Sequence, residues 1–397
     1  MSKWVAGVLV ALFIILSIVS VILGQQIKSL EDLINPFAAP TPTIAVLPPQ
    51  TEKESRREEP DIAIVAQNLS VPWSMAFLPD GRMLVTEREG NVRLIDADGV
   101  LQPDPVAIIS QVKQIGEGGL LGITIHPQFL RNKYVYVYYT YSTNTNNIRN
   151  RVARYIFDGE SFSDEKIIVD SIPGASNHNG GRIAFGPDGY LYITTGDAQD
   201  DELAQNTSSV AGKILRVTDT GAAAPGNPFD NAVYSYGHRN PQGIAWDDQG
   251  QLWSTEHGRS GVLSGFDEVN LIESGNNYGW PEIQGDEKAP GMQAPLSHSG
   301  ATTTWAPGGM AFYQPDDEAK QVRLFFAGLR GQGLYEATLD GKRVVSVEKH
   351  FDGMFGRIRD VVLGSDNFLY IATSNRDGRG LAKENDDKIL RINPEKL

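Results

Sequence analysis

Seven short polar segments punctuate an otherwise strand-rich sequence. They are GEGGLLG at Gly116–Gly122, NHNGGR at Asn177–Arg182, GHRNPQG at Gly237–Gly243, STEHG at Ser254–Gly258, DEVNLIESGNNYGWPE at Asp267–Glu282, AGLRGQG at Ala327–Gly333 and GRIRD at Gly356–Asp360. Each adjoins an apolar run, so each is read as a loop or strand end. Four arginines in them, Arg239, Arg330, Arg357 and Arg359, stand among small or apolar neighbours in a chain of formal net charge −14. Any one of them is equally well explained as a surface arginine paired with an acid. Together they fit capture of a polyanion, because a guanidinium grips a carboxylate through two parallel hydrogen bonds. There is no cysteine, which excludes disulfides, thiolate metal sites and a thiol nucleophile. None of the six histidines has the H-E-x-x-H spacing of a helical zinc site.

The elements that must position these loops repeat. An apolar strand, a turn on Asp-Gly or its equivalent, a second strand, a Gly-containing turn and a third strand recur as one phrase. The clear copies begin at Trp73, Gly181, Gly243 and Ile358, and weaker ones at Leu120 and Gly309. Gly81, Gly189, Gly250 and Asn367 occupy the same turn slot. The period is roughly 55 residues, the size of a four-stranded propeller blade. The expected fold is therefore all-β, a six-bladed β-propeller over residues 61–397. A one-dimensional solenoid is the alternative, but a ring removes the two exposed ends. In a propeller the loops gather around one mouth of the channel, the default place for a site.

The acidic balance argues against nucleic acid, which needs a basic footprint, and against docking on anionic lipid. Trp4–Leu23 is uncharged and almost wholly apolar, long enough to span a bilayer core of roughly 20 residues. No A-x-A site follows it, so residues 1–24 are read as a membrane anchor, a cleaved signal peptide being the alternative. Lys3 before the run leaves the rest of the chain outside the cytoplasm. The stretch 25–60, rich in proline and then in charge, reads as a linker.

The polar segments resemble those of the soluble glucose and aldose sugar dehydrogenases that use pyrroloquinoline quinone (PQQ). GLLGxxxHPxF, NHxxGRIxFGPDGxLYxxxGD, GHRNPQG, DEVNLIxxGxNYGWP and RxRDV all match in order, from about Ala63 to Ile392. The resemblance implies a six-bladed propeller, in agreement with the repeat count. It makes His178 the general base. It gives Arg239, Asn240, Arg330, Arg357 and Arg359 to the cofactor, Arg330 standing where the family often has lysine. Glu117 falls where many members have glutamine near the substrate. A calcium ion on the cofactor would take the carbonyls of Gly258 and Arg259, backbone oxygen being a suitable hard ligand. His257, just before them, replaces a frequent glutamine. A second, structural calcium would lie at Glu268 and Tyr278, where a plain turn is the competing explanation.

The implied reaction is two-electron oxidation of an aldose at its anomeric carbon to a lactone, with electrons passed to an external acceptor. No Rossmann fingerprint is present, so nicotinamide is not expected. A non-catalytic propeller that binds sugars or a protein, and a calcium-dependent lactone hydrolase, are the rival uses of such a scaffold. Neither needs the histidine together with all four arginines.

Overall fold

The computed structural model describes residues 44–46, 61–142, 147–261, 264–315 and 321–397. The Trp4–Leu23 run, and the 25–60 stretch apart from Ile44–Val46, lie outside the described residues. Among those described, no helix is long and apolar enough to cross a membrane.

From Ile44 onward the strands form six sheets. Five are four-stranded meanders, blades I to V, over residues 72–108, 120–173, 183–236, 241–298 and 307–350. Blade VI combines three strands from 358–392 with Ile62–Ala66, and carries Ile44–Val46 on its outer edge. The innermost strands are Pro72–Phe77, Leu120–Ile125, Ile183–Phe185, Pro241–Trp246, Pro307–Tyr313 and Ile358–Leu363, and each touches both of its neighbours, the sixth touching the first. The ring is closed, which rules out the solenoid. Ile62 pairs with Ile392 and Ala63 with Arg391, so the earliest strand of the ring completes its last blade.

The repeating turn has a physical reason. Gly81, Gly189 and Gly250 have φ of 87°, 79° and 74°, and Asn367 has 60°. Each turn needs a residue that tolerates the left-handed region, which glycine and asparagine do at least cost. In blade II Lys133, φ 59°, takes that place after a single helical turn at Phe129–Asn132. That substitution is why the second copy of the phrase is weak.

Hydrophobic packing lies between blades. Among the described residues there are six buried clusters, one for each blade interface. Leu84 and Leu94 of blade I meet Val135 and Tyr139 of blade II, for example. Trp253 of blade IV meets Phe326 and Tyr335 of blade V. Each fully buried aliphatic side chain contributes about 1.5–3 kcal/mol, so the interfaces hold the ring together without a central core.

The innermost strands carry a second regularity. In blades I, II, IV, V and VI their pairing slips near the start, at Pro72/Ser74, Leu120/Ile123, Pro241/Gly243, Pro307/Met310 and Ile358/Asp360. A bulge re-aims the extra residue. Trp73, Gln242 and Arg359 are three such residues, and they meet in the channel. Arg359 donates to Gln242 Oε1 at 2.5 Å and lies 5.5 Å from the Trp73 ring. Arg182, 4.6 Å from the same ring, spans to Asp360 at 3.0 Å and to Ser74 Oγ at 2.8 Å. These side chains floor the channel.

Candidate active site

All the polar segments that precede an innermost strand, and those that join second to third strands, open at the same end of the ring. There they line a cavity of about 590 Å³. Its walls include Glu117, His178, Arg239, Gly258, Arg259, Arg330, Arg357 and Arg359, so eight of the residues singled out from sequence converge. Asn240, Glu268 and Tyr278 stand behind the wall rather than in it.

His178 sits between blades II and III with φ 60°, a left-handed conformation costly for a side chain other than glycine. Its surroundings enforce this. Its carbonyl packs so closely on Gly196 that a Cβ there would lie 2.0 Å away. Its amide donates to Glu117 Oε2 at 3.4 Å. Nδ1 is 2.7 Å from Oδ1 of buried Asp197. Asp197 Oδ2 accepts from Trp280 Nε1 at 3.0 Å, and the Trp280 ring stacks on Arg239 at 5.2 Å. With Nδ1–H donating to the carboxylate, Nε2 is the nitrogen left with a lone pair.

The arginines fall into two kinds. Arg357 is neutralised, its Nε and Nη2 both 2.8 Å from Asp377 Oδ2. Arg239, Arg330 and Arg359 have no carboxylate within ion-pair distance among the described residues. Arg239 donates to Ser260 Oγ at 2.9 Å, and Arg330 to Ser264 Oγ at 2.7 Å. Burial pushes Arg359 down to about 9 and lowers Arg239 as well, despite the acids Asp377 and Asp197 in their neighbourhoods. Both stay charged at neutral pH, and each keeps a buried Nε without a hydrogen-bond partner. Asn240 Oδ1 accepts from Gly180 N at 2.9 Å, while its buried Nδ2 and the Nε2 of His257 are also unpartnered. Burial holds His257 down to about 4, so it is neutral at pH 7. Unsatisfied buried donors on this scale are costly, and an anion in the cavity would relieve them.

Glu117 is tied across the mouth. Its Oε1 is 2.5 Å from Arg379 Nη1, and Arg379 Nη2 donates to Asn177 Oδ1 at 3.1 Å. Burial alone would raise the Glu117 pKa, but His257, Arg379 and His178 outweigh it and hold the carboxyl at about 2.

The Gly258 turn is tight. Its amide donates to Asp267 Oδ1 at 2.9 Å, and a Cβ at Gly258 would lie 2.2 Å from Gly265 O. The Arg259 carbonyl accepts from Gly265 N at 3.2 Å. Glu268 lies across the strand pair from Glu256, and burial together with that neighbour pushes its carboxyl up to about 8. The Tyr278 hydroxyl is engaged by Leu271 O at 2.6 Å and Glu273 N at 2.8 Å. Among the described residues, no three His, Asp or Glu side chains converge into a group that could hold a metal.

Sequence reasoning missed Asp197, Trp280, Gln242, Trp73, Asp377 and Arg379. Asp197 closes the GRIxFGPDGxLYxxxGD phrase and was within reach, being the first acid after the strand Leu191–Thr195. Asp377 meets Arg357 within blade VI, 20 positions away, and the others act across blades.

Residues 69–383 match the glucose/sorbosone dehydrogenase family. An aldose sugar dehydrogenase of Escherichia coli K12 is 31% identical over 84% of this chain and 93% of its own. Quinoprotein glucose dehydrogenase B of Acinetobacter calcoaceticus is 30% identical over 60% of this chain and 56% of its own. The PQQ-bound aldose sugar dehydrogenase of Streptomyces coelicolor superposes with a TM-score of 0.76 at 39% identity, over 83% of this chain and 95% of that one.

Proposed function

The chain belongs to the glucose/sorbosone dehydrogenase family of PQQ-dependent sugar oxidoreductases, and on that footing we propose that it oxidises an aldose at the anomeric carbon to the lactone and passes the electrons to an external acceptor. The observation that carries this reading is a match of charge to ligand. Arg239, Arg330 and Arg359 face one cavity without acidic partners, and PQQ carries three carboxylates. Charge-assisted bonds to guanidinium suit carboxylates in number and shape. Asn240 Nδ2 and Arg357 complete the holding set, Arg357 from a position fixed by Asp377.

When bound, PQQ supplies an electrophilic quinone carbon that accepts hydride. The chain does the rest. His178 Nε2 takes the proton of the anomeric hydroxyl, and Asp197 keeps Nδ1 protonated and steadies the imidazolium that forms. Glu117, anionic at working pH, offers an acceptor to a second sugar hydroxyl beside His178. The buried arginines place fixed positive charge where negative charge grows.

Calcium is part of the proposal. The carbonyl oxygens of Gly258 and Arg259 are hard donors on a turn that only glycine can make, and Glu268 with Tyr278 would supply a second, structural site. The Trp4–Leu23 run would anchor the enzyme to a membrane with the propeller outside the cytoplasm. Cell fractionation tests this, and a soluble form lacking about the first 24 residues would make it a secreted enzyme instead. For the reaction, purified protein is loaded with PQQ and calcium and offered a panel of aldoses with a redox dye. Lactone formation is expected. Failure to bind PQQ with calcium in excess would leave a sugar-binding propeller.

A further inference from the structure

Blade III carries a lysine that the sugar chemistry leaves unused. Lys213 opens the third strand of that blade, Lys213–Val217, and its side chain is wholly buried. Its Nζ donates to the carbonyls of Leu203 at 2.8 Å, Ala204 at 2.9 Å and Ala211 at 2.6 Å, so all three ammonium hydrogens are used. Burial, with no acid beside it among the described residues, pushes the ammonium down to about 7, while the three carbonyls favour its charged form. Lys388 holds the same place in blade VI, in DDKILRI against GKILRV. There the side chain is 20% exposed and pairs with Asp386 at 3.0 Å. In blade III the lysine is instead roofed by the excursion 196–212. A buried charge kept without an acid adds little stability, and its bonds specify one arrangement of the groups around it.

That arrangement leads to His178. The excursion starts at Gly196 and Asp197, and Gly212 N donates to Gly196 O at 2.8 Å to close its neck. Its helical turn, Glu202–Gln205, supplies two of the three carbonyls. Ala211 supplies the third beside the neck, so the ammonium ties turn to neck. The turn in turn holds the neighbouring blade. Ala204 O accepts from Gly237 N at 2.9 Å, two residues before Arg239. Gln205 Nε2 donates to Trp280 O at 2.6 Å, and its Oε1 accepts from Asn277 Nδ2 at 2.7 Å. Asp197 and Trp280, which meet at 3.0 Å, are therefore carried by two parts of one excursion. We infer that Lys213 is a positioning residue for the oxidation, its ammonium holding the excursion in the shape that sets Asp197 against His178 Nδ1 and Trp280 against Asp197. The inference rests on the dehydrogenase reading and adds to it a residue outside the cavity wall.

Lys213→Met keeps the length of the side chain and removes its donors. A displacement of about 1 Å at a supporting group can cost roughly 10²-fold in rate. Single-turnover reduction of PQQ-loaded protein by sugar should therefore slow about 10- to 100-fold, with KM for sugar and PQQ affinity changed by less than about 3-fold. Lys213→Ala should slow alike and recover in part with propylammonium, whose N–H groups can reach the carbonyls. Tetramethylammonium, of equal charge but without N–H, should not help. A second readout needs no turnover. In PQQ-free protein with isotope-labelled histidine, proton–nitrogen correlation spectra assigned through His178→Gln should show one Nδ1–H form of His178 in wild type and a mixture of tautomers in Lys213→Met. Should Lys213→Met not fold, Gln205→Ala tests the same route at a half-buried side chain, with reduction slowed about 3- to 10-fold and the same mixture. An unchanged His178 spectrum in whichever of these variants has native circular dichroism would overturn the inference. So would recovery of Lys213→Ala with tetramethylammonium as well as with propylammonium. Absence of sugar-driven reduction in wild type would instead strike the dehydrogenase reading, and the His178 spectra of PQQ-free protein would still decide the role of Lys213.

Discussion

The Nδ1 of His178 lies 2.7 Å from Oδ1 of Asp197, and that carboxylate is in turn held by Trp280. The pair fixes which imidazole nitrogen faces the substrate. His178→Gln should lower kcat about 10²- to 10⁴-fold with PQQ affinity nearly unchanged. Asp197→Asn should lower kcat as well, because an amide in that place can favour the wrong tautomer. Stopped-flow reduction by sugar checks both, and near-normal rates in either variant would remove that residue from the mechanism.

Arg357 and Arg359 are two positions apart and should fail differently. Arg359 is buried without a carboxylate, so Arg359→Ala should weaken PQQ about 10- to 100-fold, as expected for loss of a charge-assisted bond worth about 1.5–3 kcal/mol. Its folding stability should fall by less, about 1–3 kcal/mol, because only the neutral Gln242 Oε1 loses a donor. Arg357→Ala strands Asp377, which is 2% exposed, and breaking a buried pair in this way costs about 3–5 kcal/mol. Fluorescence titration and urea unfolding of the two apo-variants separate the cases. Equal stabilities would show that Asp377 finds another partner.

The Glu117–Arg379 pair predicts a window of acid sensitivity. The folded pKa of Glu117, about 2, lies below its ordinary value of 4.5. The unfolded chain then binds the proton more readily, so stability rises with pH between the two values. The contribution is fully present above about pH 4.5 and is lost as pH falls toward 2. Solvent around the exposed Arg379 screens it, leaving on the order of 1–3 kcal/mol. Glu117→Gln should flatten the stability profile of apo-protein in that window. An unchanged slope would mean that the pair is too solvated to matter.

Chelation offers a fourth test. If the Gly258 and Arg259 carbonyls hold calcium against the cofactor, a chelator should weaken PQQ binding, and calcium should restore it. The comparison is a titration of apo-protein with and without chelator. Identical affinities would take calcium out of the cofactor site.

The fold was legible because each blade repeats one local requirement, a residue that accepts positive φ between two short strands. Gly81, Gly189, Gly250 and Asn367 marked it in plain text. Single residues of the site were legible for a similar reason, since His178, Arg239 and Arg359 stand just ahead of, or at the start of, innermost strands. Their partners were not. Trp73, Gln242 and Arg359 meet because three bulges each add one residue, and a bulge leaves no mark in an apolar/polar alternation. Arg379 reaches Glu117 across 262 positions of sequence, a distance that only ring closure makes short.

That closure also sets an order of events in the cell. Ile62–Ala66 is synthesised early but is joined to the rest of blade VI only when Ile389–Ile392 has been made. The cavity draws Glu117 from one side of this seam and Arg357, Arg359 and Arg379 from the other. A ribosome-bound chain that stops short of blade VI therefore has no place for the cofactor. Loading with PQQ therefore waits until blade VI has been made and closed onto Ile62–Ala66.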